Sequence, residues 1–182
     1  MDINTFKDHL YGHAPKASEV DVISLTEHAS ESGMIHIKQV ELNVAGRAQF
    51  NITLFLPAKN KPAPIFLYLN KYGNHTVHTD TKLSISDGWT DTGKVMPRGC
   101  HADRFGIDYL IENGYGVATL HESDISPDRK DGVFGVRAMF DETWGLISAW
   151  SWGLMRCVDY LMMDKDINHD RIFVTGHSRR GK

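Results

Sequence analysis

Three short apolar runs constrain this chain more than any other feature: IFLYL at 65–69, YGVATL at 115–120 and RIFVTG at 171–176. A strand wet on one face alternates apolar and polar residues, so runs of this kind predict strands covered on both faces. Between the first two, residues 101–113 (HADRFGIDYLIEN) place Phe105, Tyr109 and Leu110 on one helical face, with Gly114 as a C-terminal cap. Between the second and third, apolar residues recur at helical spacing from Asp141 to Met163, which predicts a helix up to ~34 Å long. Strands alternating with helices in this order predict parallel pairing, with helices across the faces of the sheet.

Upstream the pattern changes. Residues 34–43 (MIHIKQVELN) and 48–56 (AQFNITLFL) alternate around Ala45, Gly46 and Arg47, predicting an antiparallel hairpin whose second strand ends at Pro57. Residues 1–33 read as a polar, poorly defined leader that opens on a short helix. Residues 34–182 then read as one α/β domain, or the N-terminal part of one, whose mixed sheet turns from antiparallel to parallel. A chain of 182 residues is long enough for one sizeable core.

Charge narrows the partners. The net charge is −3 and the basic residues are scattered, which argues against nucleic acid and against an anionic membrane surface. A small molecule or neutral glycan fits better. No stretch reaches the ~18 apolar residues of a membrane span, and the N-terminus lacks the pattern of an export signal. Cys100 and Cys157 stand in no metal-ligand spacing and read as buried, unpaired thiols.

Sheets of this kind bind ligands at the C-terminal ends of their strands: here the loop after Leu69, the loop after Leu120 and the turn at Ser178. The run GHSRRGK, from Gly176 to Lys182, places a serine directly after a buried strand and between glycines. A nucleophile elbow needs this arrangement, because a sharp turn lifts the hydroxyl clear of the sheet. The second glycine stands one place later than in G-x-S-x-G. The same run also satisfies G-x-x-x-x-G-K, a loop whose amides and lysine cradle nucleotide phosphates, although such a loop normally follows the first strand of its domain. A structural turn is the third reading.

The wider sequence resembles the glucuronoyl esterases, carbohydrate esterase family 15, especially their bacterial branch. The resemblance rests on FLYLNKYGNHTV, RGCHADRFGIDYLIENGYGVATL, DISPD, GVRAMF, WGLISAWSWGLMRCVDYLMMDKDIN and RIFVTGHSRRGK, from about residue 65 to the last residue. It implies an α/β-hydrolase three-layer sandwich, here reaching just past the nucleophile elbow. It implies a serine esterase acting on 4-O-methyl-glucuronic acid esters of glucuronoxylan, the lignin-carbohydrate esters, with no cofactor. The family motif G-[CH]-S-R-x-G-K accounts for the displaced glycine. Carried over, it makes Ser178 the nucleophile, Arg179 a stabiliser of the oxyanion, and Lys182 a contact to the sugar hydroxyls. His177 replaces the cysteine of the fungal form. A second oxyanion amide is expected from the loop Lys71, Tyr72, Gly73 and Asn74. Members that attack plant cell walls are usually exported, so a secreted or periplasmic location is implied.

Other residues have plainer readings. His75, His78 and Asp80 lack the spacing of a metal site. Trp144, Trp150 and Trp152 read as core rather than sugar platforms. Arg137 reads as a structural partner, and Asn51 and Asn74 open glycosylation sequons that matter only in a eukaryotic secretory context. In α/β-hydrolases the triad acid and histidine follow the serine, and only four residues follow Ser178 here. None of the ten histidines is therefore assigned to a triad, and residues 1–182 are expected to be inactive alone. An acetylxylan or other carbohydrate esterase is the nearest alternative activity, because fold and nucleophile do not fix the acyl group.

Overall fold

The apolar runs become the centre of one six-stranded sheet ordered β1-β2-β3-β5-β4-β6. The structure is a computed structural model and describes residues 2–16, 19–140 and 143–182. The strands are β1 (Val20–Ala29), β2 (Ile35–Val44), β3 (Ala48–Pro57), β4 (Ala63–Asn70), β5 (Gly116–His121) and β6 (Ile167–Thr175). β1, β2 and β3 pair antiparallel, β5 is antiparallel to β3 but parallel to β4, and β4 is parallel to β6. The expected hairpin is β2–β3. Its turn has φ 58° at Ala45 and φ 64° at Gly46, and positive values at both central positions match the right-handed twist of the flanking strands.

The helices are α1 (Ile3–Phe6), α2 (Ala102–Phe105), α3 (Ile107–Glu112), α4 (Glu122–Ile125), α5 (Val136–Met139) and α6 (Leu146–Leu161). They and the loops cover both sheet faces. On one, α6 packs Trp150, Trp152, Ala149 and Cys157 onto Leu42, Phe50, Leu54 and Leu67. On the other, Ile107 and Ile111 of α3 join Val77 and Leu83 over Ile35, Ile37, Phe55 and Val117. Trp144, Trp150 and Trp152 are buried, and Trp144 meets Trp152 edge to face with centroids 5.7 Å apart. Gly153 lets α6 approach α4, since a Cβ there would lie 2.4 Å from Ile125 Cδ1.

Four expectations change. The leader contains β1, whose apolar alternation is hidden by an irregularity between Val22 and Ser24: the phase passes from Val20 and Val22 to Ile23 and Leu25. The helix expected over 101–113 is two short helices broken at Gly106, where φ is 56°. The buried face is consequently Ile107 and Ile111, and Tyr109 is 69% exposed. The long helix is confined to Leu146–Leu161; Asp141 and Glu142 lie outside the described residues, and the backbone before α6 instead bridges Gly12 to Trp144. Cys157 is buried as expected, but Cys100 is exposed; both are free thiols.

A charged cluster fastens the α6–β6 connection to the antiparallel half. Lys38 of β2, buried, lies 2.7 Å from Asp164 and 2.9 Å from Asp166, and Lys61 also reaches Asp166 at 2.8 Å. Burial raises the Asp166 carboxyl, but hydrogen bonds from Lys61 and Lys38 outweigh it and hold the group down at about 2. Removing Lys38 would leave the buried Asp164 carboxylate without its cation, while Asp166 keeps Lys61. Lys38→Met is expected to lower stability by ~3 kcal/mol, read from denaturant midpoints, and Lys61→Met by distinctly less because its side chain is more exposed.

Candidate active site

Strand β6 ends at Thr175, and the chain turns at once through Gly176 and His177 into a 3-10 turn at Ser178–Gly181. Ser178 has φ 59°, a left-handed conformation that costs a non-glycine residue roughly 1–3 kcal/mol. The two glycines close the turn on itself. A Cβ on Gly176 would lie 2.3 Å from the Arg180 carbonyl oxygen, and one on Gly181 would lie 2.5 Å from the Gly176 oxygen. The glycine that stands one place late in the motif is thus the one that meets Gly176 across the turn. Ser178 is exposed at its tip.

Both arginines after the serine are held by acids from the segment that follows β5. The Arg179 guanidinium clasps the Asp128 carboxylate through two parallel hydrogen bonds, one of 3.0 Å and one shorter. Such fork-on-fork pairs fix direction as well as charge. Arg180 turns inward, forms an ion pair with buried Glu122 and lies 5.3 Å from the centre of the Trp150 ring. Burial pushes the Glu122 carboxyl up, while Arg180 opposes that shift. The motif itself did not single out Glu122, Asp128 or Arg180. Their signal was the acidic run HESDISPD directly after a buried strand, at the end where such sheets place their sites.

The loop after β4 is tied down residue by residue. Asn70 accepts a bond from the Tyr72 amide at 2.8 Å and donates to the Gly73 carbonyl at 2.8 Å, which also accepts the Thr76 hydroxyl at 2.7 Å. Lys71 reaches Asp91 at 2.5 Å and lies over the Tyr72 ring, whereas Asn74 turns the other way and donates to the Asn51 carbonyl of β3 at 2.6 Å. Gly73 has φ 98°, and a Cβ there would meet Ser86 at 2.8 Å. The four residues therefore form one rigid loop, with Lys71 and Asn74 facing different neighbours. Because β4 lies between β5 and β6, this loop and the Ser178 turn rise from adjacent strands. Lys182 stands with Arg179, Trp150 and Ile147 around a cavity of about 200 Å³ on the α6 side of the turn.

His121, at the end of β5, fastens the loop from below. Its Nε2 bonds the Lys71 carbonyl at 3.0 Å and its Nδ1 pairs with the Ser86 hydroxyl at 2.9 Å. A carbonyl only accepts, so Nε2 carries the proton and Nδ1 accepts from Ser86. His75 lies buried beside it, bonded to the Met96 carbonyl and the Ser86 amide, while His78 packs on Phe55 and Asp80 pairs with His28. The Asp80 amide also donates to His78 Nδ1 at 3.1 Å, and among the described residues no group of His, Cys, Asp or Glu is arranged to hold a metal. Arg137 donates to the Trp144 carbonyl, and Asn74, of the second sequon, is buried.

Burial lowers the His121 imidazole to about 4 from 6.5, so the ring is neutral in the folded protein. The unfolded chain binds the extra proton first; stability from this group is complete above pH ~6.5 and is lost as pH falls toward 4. Burial also pushes Asp124 up to about 6, which acts oppositely by lowering stability as pH rises from about 4 to about 6. The difference between the parent and His121→Gln isolates the histidine. Stability measured against pH is expected to fall less steeply below pH ~6.5 in the variant.

The comparisons with known proteins agree with this geometry. Residues 105–182 match the family model of the fungal glucuronyl esterases. Carbohydrate esterase MZ0003, from an unknown prokaryotic organism, is 34% identical over 97% of this chain and 46% of its own length. A promiscuous carbohydrate esterase family 15 enzyme from a marine bacterial metagenome superposes with a TM-score of 0.84 at 33% identity, over 97% of this chain and 50% of its own. A glucuronoyl esterase from Solibacter usitatus gives a TM-score of 0.80 at 32% identity, over 93% of this chain and 48% of that one. The chain thus spans about half the length of these relatives, and their fold is the α/β-hydrolase fold that the sheet and its turn display. With the sheet, the Ser-Arg turn and relatives above 30% identity in agreement, this chain is similar over almost its whole length to the glucuronoyl esterases of carbohydrate esterase family 15.

Proposed function

We propose that Ser178 is the nucleophile of a serine esterase that cleaves 4-O-methyl-glucuronic acid esters of glucuronoxylan, by acylation and then deacylation of its hydroxyl. The observation that carries the reading is the turn itself. A serine at φ 59° stands exposed at the end of a parallel strand, between two glycines that touch backbone to backbone, in a chain related to glucuronoyl esterases. The strain at Ser178 is of use only if the hydroxyl has to be presented.

Each neighbour then has a task. Negative charge develops on the carbonyl oxygen as the hydroxyl attacks, and a fixed cation beside it is worth most at that moment. Arg179, held by Asp128, keeps its amide and guanidinium next to the nucleophile, and a second amide comes from the rigid loop of Lys71 to Asn74. Lys182 contacts sugar hydroxyls. A hydroxyl still needs a histidine to take its proton and an acid to orient that histidine. Residues 1–182 assign neither, so assayed alone they are expected to show no turnover. Substrates that are cell-wall polymers make a secreted or periplasmic location part of the same proposal.

The marine relative is a promiscuous esterase, which favours a second reading in which shorter acyl groups such as acetate are also cleaved. The full-length protein and its Ser178→Ala variant, assayed on benzyl glucuronate, acetylated xylan and a nitrophenyl acetate, separate these. Ser178→Ala is expected to lower kcat by roughly a million-fold, and Arg179→Ala by roughly 100-fold to 1,000-fold. Preference for the acetylated substrates would move the assignment to an acetylxylan esterase. Turnover that survives Ser178→Ala, or saturable nucleotide binding at this turn, would overturn it.

A further inference from the structure

One face of the sheet changes character along its length. On β2 and β3 the pairs that begin with apolar Ile37 and Phe55 continue as Gln39 opposite Thr53 and Glu41 opposite Asn51. Strand β1 extends both rows, with Thr26 opposite Gln39 and Ser24 opposite Glu41. Six polar side chains thus occupy a face that, one pair earlier, is core. Where α3 and its neighbours stop covering this face, a cavity of about 400 Å³ opens, walled by the 84–88 segment and by α4.

The cavity is built rather than merely wet. Asn74, only 7% exposed, lines it and is held in place by the bond from its amide nitrogen to the Asn51 carbonyl. Asp124 is fixed in the wall by the Asn51 backbone and side-chain amides at 2.8 and 3.2 Å. Acceptors and donors are mixed: carboxylates from Glu41, Asp87 and Asp124, hydroxyls from the serines and threonines. Among the described residues that line it, none is Lys or Arg.

We propose that this cavity binds a neutral, hydroxyl-rich sugar unit of the polysaccharide whose uronate ester is presented to Ser178. Vicinal hydroxyls both donate and accept, which suits alternating carboxylate and hydroxyl walls. A free uronate would bring a further negative charge beside three acids, so the cavity favours a neutral sugar, and the esterified uronic acid, itself uncharged, is left to the turn at Ser178. The two ends lie at the same edge of the sheet. In the order β2-β3-β5-β4-β6, three strand spacings of about 4.8 Å lie between the β3 wall and β6 and four between Glu41 and β6, roughly 14 to 19 Å in the plane of the sheet, with the two ends on opposite faces, so the occupant is an oligosaccharide that passes over the sheet edge.

The assignment rests on the glucuronoxylan reading only for the identity of the sugar, and its test needs no ester. Xylotriose is titrated into the full-length protein by calorimetry, with glucuronic acid as the anionic probe. Saturable xylotriose binding is expected, weakened about tenfold or more by Glu41→Ala, the equivalent of one hydrogen bond to a charged group. Thr26→Val, which keeps shape and removes only the hydroxyl, is expected to weaken it too and serves if Glu41→Ala fails to fold. Absence of xylotriose binding, binding unchanged in Thr26→Val and in a folded Glu41→Ala, or glucuronic acid displacing xylotriose would each overturn the proposal. Esterase activity without xylotriose binding would reject the cavity alone, and xylotriose binding without esterase activity would reject the esterase reading alone.

Discussion

Strand β5 is the constraint on which the rest depends. Its six residues, Gly116–His121, are all buried, because it lies between antiparallel β3 and parallel β4 with cover on both faces. A strand in that position has no freedom of register: a slip of one residue would exchange Leu120, which packs toward α6, with Thr119 and His121 on the other face. Everything at the site hangs from its C-terminal end. His121 holds the Lys71 carbonyl, Glu122 holds Arg180, and the chain then runs on to Asp128, which holds Arg179.

This arrangement makes the site stiff where chemistry needs stiffness. The Ser178 turn is pinned twice, by glycine contacts within itself and by two carboxylates from a different part of the chain. The loop beside it is pinned by asparagine, threonine and histidine side chains that satisfy its carbonyls. Catalytic stabilisation of a developing charge depends on donors that need no rearrangement at the moment of reaction, and short hydrogen-bonded loops on adjacent strands are compatible with that proposed role. The strain at Ser178 is held by the same contacts.

Charge is also divided in space. The cations cluster at the end of β6, while the polar rows on β1, β2 and β3 carry acids and hydroxyls. The charged cluster of Lys38, Asp164, Asp166 and Lys61 lies apart from both and serves the fold, tying the entry of β6 to β2.

The sequence by itself determined the elements whose signal is local. The β2–β3 hairpin follows from alternation around Ala45 and Gly46, the three inner strands from their apolar runs, and the turn from a serine between two glycines after a strand. The family resemblance was legible for the same reason, because its motifs are contiguous. Only the tertiary structure decided the rest. It placed β1, whose irregularity breaks the period that would reveal it, and it broke the helix over 101–113 at Gly106. It also paired Arg179 with Asp128 and Arg180 with Glu122 across more than fifty residues, and put the polar rows of three strands under one cavity. Those outcomes depend on which side chains meet across strands far apart in the chain, and periodicity within a single segment carries no record of such meetings.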